Sequence, residues 1–113
     1  MALPKKARLV KNRDFLRVFR RSQRAESKNV LVRVHWKPAP PGRIAVVVSN
    51  KVSKKAFLRN AMRRRMVEWL RQSTEIIAKP VDIVITAKPG AASFPKTELL
   101  GELQQLLHRL RLL

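Results

Sequence analysis

The residue types best suited to binding phosphate groups are concentrated in one short stretch of the chain. They form two pairs with four-residue spacing, Arg59 with Arg63 and Asn60 with Arg64. On a helix, which turns by about 100° per residue, these side chains share an arc roughly 140° wide. Like charges at this spacing destabilise a helix by roughly 0.2–0.5 kcal/mol per pair. The arrangement therefore favours a surface on which phosphate oxygens lie between the guanidinium groups, with a solvated helix face as the alternative. Three lysines lead into the same surface: Lys51, Lys54 and Lys55.

A second group of residues has the types that bind single-stranded nucleic acid. Phe15 and Phe19 are four residues apart, so they share one side of a predicted helix, where their rings can stack on unpaired bases. Packing of both rings in the core is an equally open alternative. Arg17 and Arg20 flank the two aromatics. A predicted strand adds a groove-lining face, with plain solvent exposure as its alternative, formed by Leu31, Arg33 and His35.

The chain has little of what a self-sufficient enzyme needs. Its seven carboxylates are scattered and include no close pair of the kind that holds two metal ions. Cysteine is absent, and the three glycines form no glycine-rich phosphate loop. His35 and His108 are far apart, which argues against a zinc site. We therefore expect no catalytic residue, no metal site and no cofactor bound by the protein itself.

Net charge indicates the class of partner. The 26 lysines and arginines exceed the seven acidic residues by 19, whereas solubility alone needs a net charge of about 2–8. A nucleic acid is therefore the first expectation, and an anionic membrane surface is its main rival. No run of eighteen uncharged apolar residues occurs, so no membrane-spanning segment is predicted. The basic N-terminus is followed by no apolar segment, so no secretory signal peptide is expected.

The N-terminal half contains predicted elements that position the aromatic pair. Residues 1–8 are expected to be a loose basic tail, and residues 9–113 a single RNA-binding domain. Asn12 is predicted to cap a first helix that runs to about Gln23, with Asp14 in its first turn. The alternation of apolar and polar residues predicts a strand over residues 30–36. Its apolar face, which we expect in the core, consists of Val30, Val32, Val34 and Trp36.

The rest of the chain supplies the elements around the basic stretch. Residues 44–49 and 81–87 are predicted strands, and a long helix is predicted over residues 54–72 between them. Because that helix connects them, the two strands are expected to be parallel neighbours, and Asp82 is expected to be structural. Ser93 or Thr97 is predicted to open a last helix. The apolar arc of the long helix is Leu58, Met62, Met66 and Trp69, and that of the last helix is Leu99, Leu100, Leu103, Leu106, Leu107 and Leu110.

The stretch from Val48 to Asn60, followed by Arg63 and Arg64, resembles the signature of the bacterial ribonuclease P protein subunit. Two flanking pieces agree with it. Residues 14–19 are similar to the family's first helix, and residues 82–89 are similar to its last strand. Together these pieces cover most of the chain in the right order. The chain departs from the family at Ala61, where a second arginine is usual, at Asn50, where lysine is usual, at Ser22, where glycine is common, and at Arg33, where an aromatic residue is frequent.

The resemblance implies an α+β fold, a single-domain sandwich in the order α-β-β-β-α-β-α, with a mixed four-stranded sheet and a left-handed crossover helix. It also implies two RNA-binding sites. The residues implied to bind the RNA subunit are Lys51, Lys54, Lys55, Arg59, Asn60, Arg63 and Arg64. Those implied to bind the single-stranded 5′ leader, in a groove between the first helix and the sheet, are Phe15, Phe19, Arg17, Arg20, Leu31 and Arg33.

The implied function is that of an accessory subunit of ribonuclease P, which assists a catalytic RNA in endonucleolytic removal of the 5′ leader from precursor tRNA. The expected partners are the ribonuclease P RNA, in a 1:1 complex, and precursor tRNA, with no membrane. Mg²⁺ is expected to be required by the RNA, and the location is expected to be cytoplasmic. The main alternative is a small basic ribosomal protein or ribosome assembly factor without a cleavage role. A more remote one is a peripheral membrane protein that uses the leucine-rich last helix.

Overall fold

The chain folds into one mixed sheet with helices on both of its faces. The computed structural model describes residues 7–20, 22–72, 74–93 and 96–113. The order of elements expected from the resemblance is confirmed, with two short helical segments added to it. The elements are α1 Asn12–Arg20, β1 Gln23–Glu26, β2 Val30–Trp36, β3 Arg43–Val47, α2 Ala56–Arg71, α3 Thr74–Ile77, β4 Val81–Ala87, a 3-10 helix Pro89–Ser93 and α4 Lys96–Arg109.

The sheet has the strand order β1-β2-β4-β3. β1 pairs with β2, and β2 with β4, in antiparallel orientation, whereas β3 runs parallel to β4 with Ala45 opposite Val84. The predicted parallel neighbours are therefore confirmed, and α2 belongs to the connection between them. The left-handedness of this crossover stays a prediction.

The main core lies between one face of the sheet and the helices α2 and α4. β2 buries every second side chain, because successive residues of a strand point to opposite faces. The centre of β4, from Val81 to Ile85, is fully buried because both of its faces are covered. The leucine arc of α4 is confirmed, with Leu100 and Leu110 half-buried against the core and four fully covered residues: Leu99, Leu103, Leu106 and Leu107.

The opposite face of the sheet carries a smaller core under α1. Val18 and Leu9 pack there against Val84 of β4, with Phe15 half-buried beside them. Ala7 is fully buried, and the backbone N–H of Leu9 donates to the carbonyl of Ile44 over 3.1 Å. Residues 7–9 therefore belong to the folded domain, while residues 1–6 of the predicted tail lie outside the described residues.

A buried ion cluster joins α1 to the sheet. The Arg43 guanidinium donates to both carboxylate oxygens of Asp82, over 2.9 and 2.8 Å, and to Asp14 of α1 over 3.0 Å. Lys37 adds a 3.0 Å ion pair to Asp82. Burial raises the pKa of Asp82, but the hydrogen bonds from Arg43 and Lys37 outweigh it and lower that pKa. The structural role predicted for Asp82 is confirmed.

Several predicted boundaries were wrong by a few residues. The carbonyl of Lys11 accepts the first helical hydrogen bond of α1, so Asn12 is the first helical residue and not its cap. α1 ends at Arg20, and residue 23 belongs instead to β1. Three of the four residues in β1 are exposed. The strand therefore has too little alternation of apolar and polar residues to be predicted from its own sequence. Pairing with β2 stabilises it.

Two apolar side chains are more exposed than predicted. Trp36 is 43% exposed, although Val30, Val32 and Val34 on the same face of β2 are buried. It is the last residue of its strand, beyond the part of this face that the helices cover. Leu58 is 42% exposed because it lies in the first turn of α2, whereas Met66 further along the same arc is buried.

Candidate nucleic-acid interface

The first candidate site, here called the α2 surface, comprises the predicted residues of α2 and of the loop before it. The lysines precede the helix and are exposed, as are Asn60 and Arg64, whereas Arg59 and Arg63 are half-buried. Arg59 donates to the backbone carbonyl of Ser53 over 2.9 Å, and Arg63 donates to the side-chain oxygen of Asn60. These contacts orient guanidinium groups without neutralising them. Within the described part of the chain, none of the α2-surface cations pairs with a carboxylate.

The start of α2 adds to the positive potential of this surface. Lys55 is its N-cap residue and makes no side-chain capping bond, and the first turn contains no acidic residue. The helix dipole places its positive end there. Glu68 of α2 is ion-paired with Arg71 over 2.6 Å, and that hydrogen bond lowers the pKa of Glu68. A phosphate group approaching the N-terminal half of α2 therefore meets several cations and no carboxylate of this helix.

The second candidate site, here called the α1 groove, lies between α1 and the polar face of β2. The rings of Phe15 and Phe19 stack with centroids 6.4 Å apart. Phe15 is half-buried, but Phe19 is 46% exposed. The guanidinium carbon of Arg33 lies 4.9 Å from the centre of the Phe19 ring, a cation–π contact across the groove. Leu31 lies on the same face of β2, two residues before Arg33, and is half-buried.

A cavity of about 550 Å³ extends the α1 groove along β2. It brings together the predicted residues Arg17 and Arg20 with His35. Phe15, Phe19, Leu31 and Arg33 are not among its described lining residues, so the predicted leader set is divided between the aromatic pair and this cavity. The residues that line the cavity are Arg13, Leu16, Arg17, Arg20, His35, Lys37 and Pro38.

Four of the cavity residues were missed by the predicted site. Arg13 was detectable, because it lies four residues before Arg17 on the same side of α1. Lys37 and Pro38 come after β2, where the alternation of a strand no longer indicates which way a side chain points. Leu16 is 51% exposed, and nothing in its residue type distinguishes it from a core leucine.

The chemistry available at both sites is binding. Neither combines a nucleophile with a base, and the described residues contain no group of three or more His, Cys, Asp or Glu side chains able to hold a metal ion. Exposed guanidinium groups, ammonium groups and one stacked aromatic pair are the groups that contact phosphates and unpaired bases.

Comparison with known proteins decides the family. A family model described as Ribonuclease P matches residues 3–111. The chain belongs to the ribonuclease P protein family. A ribonuclease P protein component from Rippkaea orientalis is 34% identical over all of this chain and 93% of its own length. A second relative with that name, from Synechocystis, is 35% identical over 94% of this chain and 86% of its own.

Solved ribonuclease P proteins share the fold. One from Staphylococcus aureus superposes with a TM-score of 0.84 over 96% of this chain and 98% of its own, at 24% identity, and shows the fold alone. One from Thermotoga maritima superposes with a TM-score of 0.79 at 26% identity, over 90% of this chain and 96% of its own. The expected α+β fold is thus confirmed by the ribonuclease P protein structures as well as by the elements themselves.

Membership of the ribonuclease P protein family confirms the expected role of the chain as a subunit of ribonuclease P in tRNA processing, with the ribonuclease P RNA as its partner. The ribosomal alternative finds no support in these matches. Within the described ranges, none of the helices combines the length and the hydropathy of a membrane-spanning segment.

Proposed function

We propose that this ribonuclease P protein assists a catalytic RNA by binding RNA at two surfaces. The α2 surface binds the ribonuclease P RNA, and the α1 groove binds the single-stranded 5′ leader of precursor tRNA. The observation that carries the proposal is the exposed Phe19 ring, stacked on Phe15 and in contact with Arg33.

The α1 groove has the chemistry of a single-strand site. Aromatic rings stack on any base, which suits leaders of varied sequence, and stacking contributes about 1–3 kcal/mol per base. Arg17 and Arg20 are exposed beside the rings, and their charges favour the backbone phosphates that follow a stacked base. A duplex offers no free ring faces except at its ends, so the groove selects the unpaired leader over the paired stem.

The α2 surface has the chemistry of a phosphate-backbone site. Arg59 and Arg63 are held by neutral partners, so each keeps its full charge and further N–H donors. Guanidinium groups bind phosphate oxygens through paired hydrogen bonds, and a folded RNA presents phosphates from several strands at once. Repulsion within the α2 surface is relieved when such a backbone occupies it.

In this mechanism the RNA performs the chemistry. The RNA would hold the Mg²⁺, which would supply activation of the attacking water, and the protein supplies leader affinity and screens repulsion between the two RNAs. One protein binds one ribonuclease P RNA, in the cytoplasm. Neither RNA-binding surface acts as an acid or a base.

The test is leader removal from precursor tRNA by the ribonuclease P RNA at low Mg²⁺, with and without the protein. We expect the protein to accelerate cleavage strongly at low Mg²⁺ and weakly at high Mg²⁺, because cations on the protein replace part of the screening that the metal provides. A control with an unrelated basic protein of similar size and net charge should give much weaker acceleration, because it has the charge but neither RNA-binding surface. Equal rates with and without the protein at low Mg²⁺ would reject the proposed function.

A further inference from the structure

A second cavity of about 620 Å³ lies apart from both RNA-binding surfaces, where α4 ends near the sheet edge. Trp36 lines it from the end of β2, on the face that meets α4, whereas the neighbouring His35 belongs to the α1 groove. None of the described residues that line it also lines the first cavity. Its lining consists of Gln23, Arg24, Ala25, Trp36, Arg109, Leu110 and Arg111.

Trp36 gives this cavity an accessible aromatic wall. The chain has two tryptophans; Trp69 packs against the core, whereas Trp36 is 43% exposed. Tryptophan has the largest aromatic surface of any residue, and burial of that surface by a partner is strongly favourable. An indole exposed among arginines is the combination that binds a base together with its phosphates.

Arg111 occupies a backbone position that normally belongs to glycine. Its φ is 62°, the one positive value among the described non-glycine residues. The N–H of Leu112 donates to Leu107 over 2.8 Å and that of Arg111 to His108 over 3.0 Å, the hydrogen-bond pattern of a Schellman motif with Arg111 as its left-handed residue. An arginine there is less stable than a glycine, so its side chain needs another reason to be present.

Charge at the cavity is unbalanced. No carboxylate is among its described lining residues. Arg24 is already paired with Glu26 over 3.1 Å, but Arg109 and Arg111 are exposed and have no ion-pair partner within the described ranges. The negative end of the α4 dipole accounts for a cation at this helix terminus. It accounts neither for the exposed tryptophan nor for an arginine in place of the usual glycine at the left-handed position.

We propose that this cavity is a further RNA-binding site, which takes one unpaired nucleotide. The base stacks on Trp36, and the adjoining phosphates bind Arg109 and Arg111. The nucleotide comes from either the ribonuclease P RNA or precursor tRNA, which offer the same chemistry. The site shares no residue with the α1 groove, so a result that rejects leader binding there would not reject this site.

The experiment measures the affinity of the full chain for each of the two RNAs separately, at one fixed salt concentration. Trp36→Ala should weaken binding of the RNA that supplies the nucleotide by about tenfold. Arg111→Gly should weaken the same binding while raising the melting temperature, because glycine relieves the left-handed backbone. Replacement of a residue that only ends the helix would not be expected to lower RNA affinity while raising the melting temperature.

Arg65→Ala is the control for loss of charge alone, since Arg65 is exposed on α2 and lines neither cavity. If Trp36→Ala and Arg111→Gly lose more affinity than this control for the ribonuclease P RNA, the nucleotide comes from that RNA. If they lose more affinity than the control for precursor tRNA, the nucleotide comes from the substrate. If Trp36→Ala and Arg111→Gly lose no more affinity than Arg65→Ala for both RNAs, the site does not exist. Should Trp36→Ala fail to fold, Arg111→Gly alone decides.

Discussion

Phe19 is the residue on which the leader-binding role depends most directly. Its ring is 46% exposed, is supported on one side by Phe15 and is contacted by the Arg33 guanidinium. Phe15 itself packs against Leu9, Val18 and Val84. One ring of the pair therefore belongs to the fold, and the other is available to a base.

Phe19→Ala should weaken binding of precursor tRNA to the holoenzyme by roughly tenfold, because one base loses its stacking partner. Mature tRNA has no leader, so its affinity should stay the same. The measurement is the ratio of the two affinities, with Phe57→Ala as the control, since Phe57 is also exposed but lies on α2. Equal losses for both tRNAs would remove Phe19 from the leader site.

The individual residues show which parts of the site were predictable. Four-residue spacing placed Phe15 and Phe19 together, and alternation placed Arg33 and His35 on one face of β2, as the structure confirms. The same alternation put Trp36 in the core wrongly. A strand pattern identifies a face, but not where the covering helix stops, because that limit is set by long-range packing.

Among the elements, α2 carries the highest density of cations that no carboxylate balances. Arg59 and Arg63 are one turn apart and are oriented by Ser53 and Asn60, so both guanidinium groups are presented before RNA arrives. Such preorganisation lowers the entropy lost on binding. The long helix and its cationic arc followed from sequence periodicity alone, because the pattern extends over several turns.

The double variant Arg59→Ala with Arg63→Ala should flatten the salt dependence of binding to the ribonuclease P RNA. Each phosphate contact adds roughly 0.7–0.9 to the slope of log K against log salt, so losing two contacts lowers its magnitude by about 1.5. The slope is measured by titration at several salt concentrations. Arg65→Ala, which lies off the arc, should change it less. An unchanged slope in the double variant would exclude these arginines from the interface.

The connection between β2 and β3 is held against α3 by a close backbone approach at Gly42. Its N–H donates to the carbonyl of Ile77 over 2.7 Å. A Cβ at this position would lie 2.3 Å from the carbonyl oxygen of Ile76 and 3.0 Å from that of Lys79. Both obstacles are backbone atoms, so no side-chain rotation can relieve the clash.

Gly42→Ala should therefore lower the free energy of unfolding by about 1–3 kcal/mol. Gly101→Ala is the matched control, since nothing lies within 4 Å of its Cβ position in α4. Alanine is the better helix former, so this variant should be more stable by up to about 1 kcal/mol. Urea unfolding measures both changes. A neutral Gly42→Ala would mean that α3 does not lie this close to the loop.

At the scale of the whole molecule, several of the few acidic residues are committed to contacts within the fold. Among the RNA-binding cations of the described ranges, Arg17 also has a carboxylate partner, Asp14 at 3.8 Å. Glu102 accepts hydrogen bonds from Asn29 over 2.8 and 3.2 Å and from Ser27. These hydrogen bonds connect α4 to the turn between β1 and β2. Asp14 and Asp82 bind Arg43. Sequence counting predicted the excess of 19 positive charges, but not the partners of Glu102 and Arg43, because these contacts join residues far apart in the chain.

Because repulsion among the unpaired cations opposes folding, multivalent anions should stabilise the isolated protein. A site filled at 100 times its dissociation constant adds about 2.7 kcal/mol. For a domain near this size, each kcal/mol raises the melting temperature by roughly 4–8 °C, so pyrophosphate should raise it by about 10 °C or more. Chloride at matched ionic strength separates binding from general screening and should give a smaller rise.

The Arg59→Ala with Arg63→Ala variant should lose part of the pyrophosphate effect, since it removes cations that hold the anion. Equal melting temperatures in pyrophosphate and chloride would show that the cations are too far apart to bind one anion together, and the α2 surface would then lack the geometry that a phosphate backbone requires.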